Sequence, residues 1–317
     1  VTAPIPEDVD DVHVRVDGRT VKLTNLRKPF WPELGISKGD LIRYYAAVAP
    51  YLLPHVRDRA MVMKRYPHGW KGEFFFMKRA PTPRPEWIRT CAIEHESGNV
   101  IDFPVIDDLP SLLWLINLGC IDLNQWYARC DDVDKPDYVH FDLDPVKGRR
   151  GGPDTGFDRV RAAALLLRDA LGGLGMPCFA KTTGSRGIHV YVPIVRGPSQ
   201  KDAWTFAKSL AQGLAALRPT LVTAEYRIEK RPPDRVLVDY NQNAWGRTLA
   251  SIYSVRPHPR AAVSTPVTWK EVEDGVEIAD FHLRNVPARL AKVGDLWKPL
   301  VAARGRFKLE KLLTSTS

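Results

Sequence analysis

The 317-residue sequence predicts an α+β fold, a mixed or antiparallel sheet flanked by helices. Three observations carry that expectation. Strand-like runs follow one another through tight turns, helical stretches separate them irregularly, and no strict βαβ alternation is present.

Along the chain, "VHVRVDGRTVKL" alternates on both sides of an Asp-Gly turn and predicts a hairpin. "SKGDLIRYYAAVAPYLLPHV" predicts a helix, with Ser37 as N-cap and Asp40 three residues on completing an approximate capping box. Strand-like runs follow at 61–66, 73–79 and 99–106, and a helix is expected over 110–121. The Pro-rich "RAPTPRPEW" suits either a divider between an N-terminal and a catalytic region or a surface loop.

Next comes "YVHFDLDP", residues 138–145, a strand with Val139, Phe141 and Leu143 on one face and His140, Asp142 and Asp144 on the other. A basic, glycine-rich loop, "VKGRRGGPDTG", and a helix over 157–171 follow. "CFAKTTGSRGIHVYVPI" predicts two strands joined by a Gly-Ser turn, and "SQKDAWTFAKSLAQGLAALRP" a helix stopped by its proline. Short strands in "RVLVDY" and "TLASIYSV" and a helix near 286–293 complete the chain.

Composition narrows the function. Hydrophobic content of 44% and charged content of 26% are those of a globular protein with a substantial core. The net charge of +9 favours polyanionic partners, nucleic acid first. No apolar run reaches the roughly 18 residues of a membrane span. The acidic N-terminus argues against a signal peptide. Cys91, Cys120, Cys130 and Cys178 are scattered with no C-x-x-C pair, which disfavours a zinc ribbon or disulfide framework and fits a reduced, cytoplasmic setting.

Asp142 and Asp144 lie roughly 7 Å apart at the backbone on one strand face, where like charges repel unless something positive sits between them. They could bridge two divalent cations, with Asp239 of "RVLVDYNQ" as third carboxylate. Hard oxygen ligands favour magnesium or manganese. In "TTGSRGIH", glycines allow backbone N–H groups close to an anion, while Thr183, Ser185, Arg186 and His189 add donors suited to a polyphosphate. Lys38 falls in the first turn of the 37–56 helix, where free N–H groups favour an anion, and Lys28 precedes it by one loop. "EFFFMKR" sends Phe74 and Phe76 to one face and Phe75 to the other, at least one of them into the core.

In order, "FDLDP", "TTGSRGIHVYVP" and "VLVDYNQN" resemble the three motifs of the archaeo-eukaryotic primase superfamily, most closely the polymerase module of bacterial DNA ligase D and its stand-alone relatives. "LTNLRKPFWPELGISKGDLIRYY" and "GEFFFMKRA" resemble its N-terminal signatures, so the likeness spans nearly the whole chain. It implies an RRM-like primase-polymerase core over 1–317, with a DNA-binding region about 1–105 and a catalytic region about 106–317. The implied activity is template-dependent nucleotidyl transfer at DNA ends and gaps in bacterial repair, with two Mn2+ or Mg2+ ions and a preference for ribonucleotides. By position it implies Asp142, Asp144 and Asp239 as metal ligands. Thr183, Ser185, Arg186, His189, Gln242, Arg256 and Arg231 become nucleotide contacts. Phe75 and Phe76 become a stack for DNA bases, and Lys28 and Lys38 a pocket for a downstream 5′-phosphate.

The implied partners are gapped DNA or break ends, NTPs or dNTPs, a separately encoded ATP-dependent ligase and Ku, at the bacterial nucleoid. Two positions depart from the pattern: Asn124 stands where relatives carry His, and Arg186 where Lys is frequent. "DLNQWYARCDDVDKPDYVHFDLDP" is similar to the stand-alone branch associated with ligase C, and no Lys-x-Asp-Gly adenylation motif occurs. Two rivals stand beside this reading. "DLDPV" also satisfies the start of a haloacid-dehalogenase-like phosphatase, and a non-catalytic DNA-end-binding module would share the charge.

Overall fold

The computed structural model describes residues 5–95, 97–147 and 156–313. They gather into two compact units, one from residues 1–126, 248–264 and 281–295, the other from 127–247, 265–280 and 296–317. Where the sequence suggests a division near residue 105, contacts divide the chain after Trp126, and the first unit takes back two later segments. The Pro-rich stretch at 79–87 lies inside the first unit and is a loop, not a divider.

The first unit opens on the hairpin β1 (Val12–Val16) and β2 (Arg19–Leu23). Asp17 and Gly18 take φ of 47° and 77°, the two left-handed residues that a two-residue hairpin turn requires. The short pair β3 (Pro29–Trp31) and β4 (Ile36–Ser37) leads into α1 (Lys38–Val56). The capping box is complete: Asp40 N donates to Ser37 Oγ at 3.1 Å, and Ser37 N donates to Asp40 Oδ2 at 2.7 Å. β5 (Met61–Arg65) pairs with β6 (Phe75–Met77), and β7 (Thr90–Glu94) with β8 (Val100–Pro104).

Helix α2 (Leu109–Asn117) is shorter than the expected 110–121. Gly119, at φ 82°, ends it, and the chain turns into β9 (Cys120–Trp126). Six of the seven β9 residues are buried, its polar Asp122 and Gln125 among them. β9 pairs antiparallel with β5 and with the later strand Thr248–Ala250. That pairing ties Trp126 and the returning segment to the first unit.

The second unit begins with the small hairpin β10 (Ala128–Arg129) and β11 (Asp132–Pro136), then β12 (Tyr138–Pro145). Most of the expected basic loop lies outside the described residues. After it come α3 (Phe157–Gly173), β13 (Phe179–Thr182), β14 (Ile188–Pro193) and α4 (Gln200–Leu217). The two-residue β15 (Val222–Thr223), β16 (Val236–Asp239), β17 (the Thr248–Ala250 strand of the first unit) and β18 (Pro266–Val267) follow. A six-stranded sheet runs β15-β16-β12-β14-β13-β18. All its pairs are antiparallel except β15–β16, which makes it mixed, as expected for the α+β class.

Hydrophobic burial holds one face of this sheet. Val139, Phe141, Leu143, Ile188, Val190, Val192, Val236 and Val238 are buried, and α3 and α4 pack against β12. Val160, Ala163, Ala164, Leu167 and Leu171 form the inner stripe of α3 at helical spacing. Each large side chain buried there contributes roughly 1.5–3 kcal/mol. Among the described residues, no helix is long and apolar enough to cross a membrane.

Candidate functional site

The opposite face of the same sheet carries the charged and polar residues. Antiparallel register sets Asp239 of β16 opposite Asp142 of β12, Asp142 opposite His189 of β14, and His189 opposite Lys181 of β13. Directly opposed residues share a face, so these four form one row across four strands. Like charges directly opposite each other destabilise a sheet. The protein accepts that cost at Asp142 and Asp239, and offsets it in part. His189 Nε2 lies 3.2 Å from Asp142 Oδ1. Asp239 Oδ1 accepts from Asn241 N at 2.9 Å, and Oδ2 from Gln242 Nε2 at 3.0 Å.

Asp144 lies two residues beyond Asp142 on the same face, half-buried, with Arg186 Nη2 3.7 Å from its Oδ2. Arg186 arrives there because the 183–187 turn presses on the end of β12. A Cβ at Gly187 would fall 2.2 Å from Leu143 O and 2.8 Å from Asp144 Oδ1, so only glycine fits. The turn differs from expectation in one respect. The N–H groups of Ser185, Arg186 and Gly187 all donate to Thr183 Oγ1, at 3.1, 3.2 and 3.1 Å. Thr183 thus organises the loop from inside, and the Ser185 and Arg186 side chains stay exposed. A cavity of about 330 Å³ adjoins them, lined by Asp144, Lys147, Arg186, Ile228, Arg231 and Leu237. Arg231 is braced by the carbonyls of Glu225 (3.0 Å) and Tyr226 (3.1 Å).

Sequence reasoning missed three residues here. Lys181 is completely buried at 0% exposure. The tight turn after it, which pairs Thr182 with Ile188, already implies that Lys181 faces His189. Asn243 clamps the segment after β16 to β12: its Nδ2 donates to His140 O at 2.7 Å, and its Oδ1 accepts from His140 N at 3.0 Å. His140 stacks on Tyr191, with ring centroids 5.3 Å apart. Burial, and next the nearby His189, push its pKa down to about 3, so its ring is neutral at physiological pH.

The remaining predicted residues belong to the first unit. Arg256 Nε lies 3.4 Å from Asp122 Oδ2. Asn124 Nδ2 donates to Asp122 O at 3.3 Å. Phe74, Phe75 and Phe76 are 49%, 43% and 61% exposed, so none of the three enters the core, contrary to expectation. β6 is a three-residue strand paired only with β5, too short to be covered on either face. Phe74 and Phe76 do share a face, edge to face at 5.9 Å, with Lys64 4.1 Å from the Phe74 centroid. Arg65 lies 5.1 Å from the Phe75 centroid.

Lys38 and Lys28 are brought together, yet not as a bare helix terminus. Lys38 N donates to Lys28 O and Gly39 N to Leu26 O, both at 2.8 Å, which uses first-turn donors expected to be free. Lys38 Nζ donates to Thr24 O at 2.6 Å. Burial, and next the charge of Lys28, lower the Lys38 pKa to about 8. An anion at this point would meet ammonium groups and not backbone N–H.

Among the described residues, no three His, Cys, Asp or Glu side chains are gathered tightly enough to enclose a metal ion as they stand. The donor set nevertheless suits a hard dication: two carboxylates opposed across β12 and β16, and a third at the strand end. A haloacid-dehalogenase-like phosphatase, the rival reading of "DLDPV", calls for a parallel βαβ series. Here both neighbours of β12 run antiparallel.

Comparison with known proteins agrees with the geometry. A family described as the LigD primase-polymerase domain matches residues 37–297. The multifunctional non-homologous end joining protein LigD of Mycolicibacterium smegmatis is 31% identical over 284 residues, covering 89% of this chain and 36% of that protein. LigD of Mycobacterium tuberculosis, a multifunctional non-homologous end joining DNA repair protein, is 31% identical over 290 residues, covering 89% and 37%. The bifunctional LigD of Bacillus subtilis is 29% identical over 275 residues, covering 86% and 43%. The chain therefore spans less than half the length of these relatives. The polymerase domain of Mycobacterium tuberculosis Ligase D, solved in complex with DNA, matches with a TM-score of 0.82 at 30% identity, covering 89% of this chain and 98% of that one.

Proposed function

This chain belongs to the LigD primase-polymerase family, and we propose that it acts as a template-dependent nucleotidyltransferase on DNA ends and gaps in bacterial repair. The observation that carries the reading is the row Asp239–Asp142–His189–Lys181 with Asp144 beside it. A sheet tolerates opposed carboxylates when their repulsion is useful to something positive.

In the proposed reaction a primer 3′-hydroxyl attacks the α-phosphate of a nucleoside triphosphate, and pyrophosphate leaves. Asp142, Asp144 and Asp239 would hold two divalent ions, Mn2+ or Mg2+, which when bound lower the pKa of the attacking hydroxyl and offset phosphate charge. Arg186 and Ser185 receive the polyphosphate, with the guanidinium matching its oxygens in a fork. His189, oriented by Asp142, donates to it as well. Gln242 is held by Asp239, and Arg231 lines the adjoining cavity, both poised toward nucleotide. Arg256 contributes a further phosphate contact, and Thr183 shapes the loop that presents Ser185 and Arg186.

The whole chain acts as one polymerase module in this proposal. The exposed Phe75 and Phe76, flanked by Lys64 and Arg65, stack on DNA bases. Lys28 and Lys38 hold a downstream 5′-phosphate. Ribonucleotides are preferred, and a separately encoded ATP-dependent ligase seals the product, with Ku at break ends, in the cytoplasm at the nucleoid. Incorporation on gapped, blunt-ended and unprimed DNA, with ribo- and deoxynucleotides and with Mn2+ or Mg2+, tests the reading. Addition directed by the template base supports it. Metal-dependent phosphate release without template would sink it.

A further inference from the structure

The Lys28 and Lys38 pair of the first unit is backed by two carboxylates, Asp10 and Asp11. Between the acids and Lys38 lies the 24–28 turn. Three consecutive N–H groups of that turn meet residues 10 and 11. Asn25 N donates to Asp11 Oδ1 at 2.8 Å, Leu26 N to Asp10 O at 2.8 Å, and Arg27 N to Asp10 Oδ1 at 3.0 Å. The left-handed φ of Asn25, 55°, helps turn these groups to one side, an arrangement that suits an anion. The carbonyls face the start of α1. Thr24 O accepts from Lys38 Nζ at 2.6 Å, Leu26 O from Gly39 N and Lys28 O from Lys38 N, both at 2.8 Å. The turn is thus polarised, with carboxylates on its donor side and an ammonium on its acceptor side, and hydrogen bonds in such a chain strengthen one another.

Lys38 is 5% exposed, and a buried ammonium needs acceptors for its three donors. Among the described residues the acceptor it meets is Thr24 O. A four-carbon stem is flexible, so the ammonium stands where its acceptor holds it. Thr24 O is placed by the turn, and the turn is tied down by the two acids. We infer that Asp10 and Asp11 are positioning residues for Lys38, which act through the 24–28 turn to set where its ammonium stands. The inference rests on the proposal that Lys28 and Lys38 hold a 5′-phosphate. The same arrangement acts on charge. Burial, and next the charge of Lys28, lower the Lys38 pKa to about 8, and Arg65 of β5 adds to the lowering. Asp11 and Asp10 oppose them. On α1 itself, Asp40 is engaged by Ser37 and Arg43. Without the two acids, Lys38 would give up its proton at lower pH. Repulsion alone makes a different prediction. If the carboxylates did nothing but repel a phosphate, deleting their charge would tighten its binding by one factor at every pH.

The test is the affinity of the full chain for gapped DNA bearing a 5′-phosphate or a 5′-hydroxyl, measured across the pH range in which Lys38 titrates. Asp10→Asn/Asp11→Asn keeps the oxygen acceptors of the turn and deletes both charges. Its preference for the phosphate near pH 7 should equal or exceed that of wild type. The decline of that preference should move down by about half a pH unit, roughly a twofold loss of preference near pH 8. Asp10→Ala/Asp11→Ala removes the acceptors as well, and should cut the preference about fivefold or more even near pH 7. An Asn pair that declines at the wild-type pH, with a uniform gain in affinity, overturns the inference and leaves the pocket standing. Full preference in the Ala pair near pH 7 does the same. A wild type with no preference removes the pocket itself, and the inference with it. Should either pair not fold, as read by its thermal unfolding midpoint, Asp11→Asn alone takes its place. A decline moved to lower pH then supports the inference, and an unmoved one overturns it.

Discussion

The two faces of β12 are built from alternate residues of one eight-residue stretch, and they answer to different demands. Val139, Phe141 and Leu143 are fully buried on the side where α3 and α4 pack. His140, Asp142 and Asp144 look the other way, where Asp142 opposes another carboxylate. The first face obeys every rule of stability. The second breaks one, by setting like charges in register, and is where chemistry is proposed. Stability and function are therefore separable within a single strand, residue by residue.

The strongest way to break that comparison is to remove a carboxylate. Asp142→Ala or Asp144→Ala should lower nucleotide addition by about three orders of magnitude or more, because metal-assisted chemistry has no substitute ligand. DNA binding should change little, since it depends on backbone phosphates. Asp142→Asn should also unfold at the same temperature as wild type or higher, as opposed like charges cost about 0.2–1 kcal/mol. Extension at saturating Mn2+ and a melting curve check both halves; a clear loss of stability would contradict the strain argument.

Phe141→Ala, one residue away, should do the reverse. Truncating a buried phenylalanine costs about 3–5 kcal/mol in chemical denaturation. The fraction that remains folded should retain near-normal KM for nucleotide. An equal loss on both measures would mean the two faces are not separable.

Gly187→Ala tests how closely the turn must approach β12. Its Cβ would overlap Leu143 O and Asp144 Oδ1. Relieving that clash must move Arg186 away from Asp144 or displace the strand end. Nucleotide KM should rise about tenfold, the worth of one charge-assisted contact, with a smaller effect on unfolding than Phe141→Ala.

The effect expected to leave simple primer extension untouched lies in the first unit. Lys28→Ala/Lys38→Ala should erase a preference for gapped DNA bearing a 5′-phosphate over a 5′-hydroxyl, about five- to 150-fold in affinity, while sparing extension of a simple primed template. The preference should also depend on pH. Lys38 titrates at about 8, so its ammonium is charged below that value. A terminal phosphate, with a second pKa near 6, stays dianionic across this range. The preference should therefore be full near pH 7 and decline as pH rises through 8. Lys28→Ala alone removes a like charge and should move the decline to higher pH. A flat profile in binding measurements would detach Lys38 from phosphate recognition.

Much of this was legible in the sequence because it depends on local geometry. Strand alternation put Asp142 and Asp144 on one face, and the spacing of Ser37 and Asp40 specified a capping box. The Asp17-Gly18 turn could close only one kind of hairpin. Each depends on bonded geometry over a few residues. Tertiary structure alone decided the rest. The opposition of Asp142 to Asp239 is a register between distant segments, set by hydrogen bonds that local patterning does not encode. β9 is not among the expected strands, and its burial on both faces is a consequence of what packs on it. The N–H groups at the start of α1 and in the 183–187 turn looked available to an anion, yet Lys28 O, Leu26 O and Thr183 Oγ1 take them. A donor's partner is a matter of which groups the fold brings within about 3 Å of it, and spacing along the chain cannot specify that.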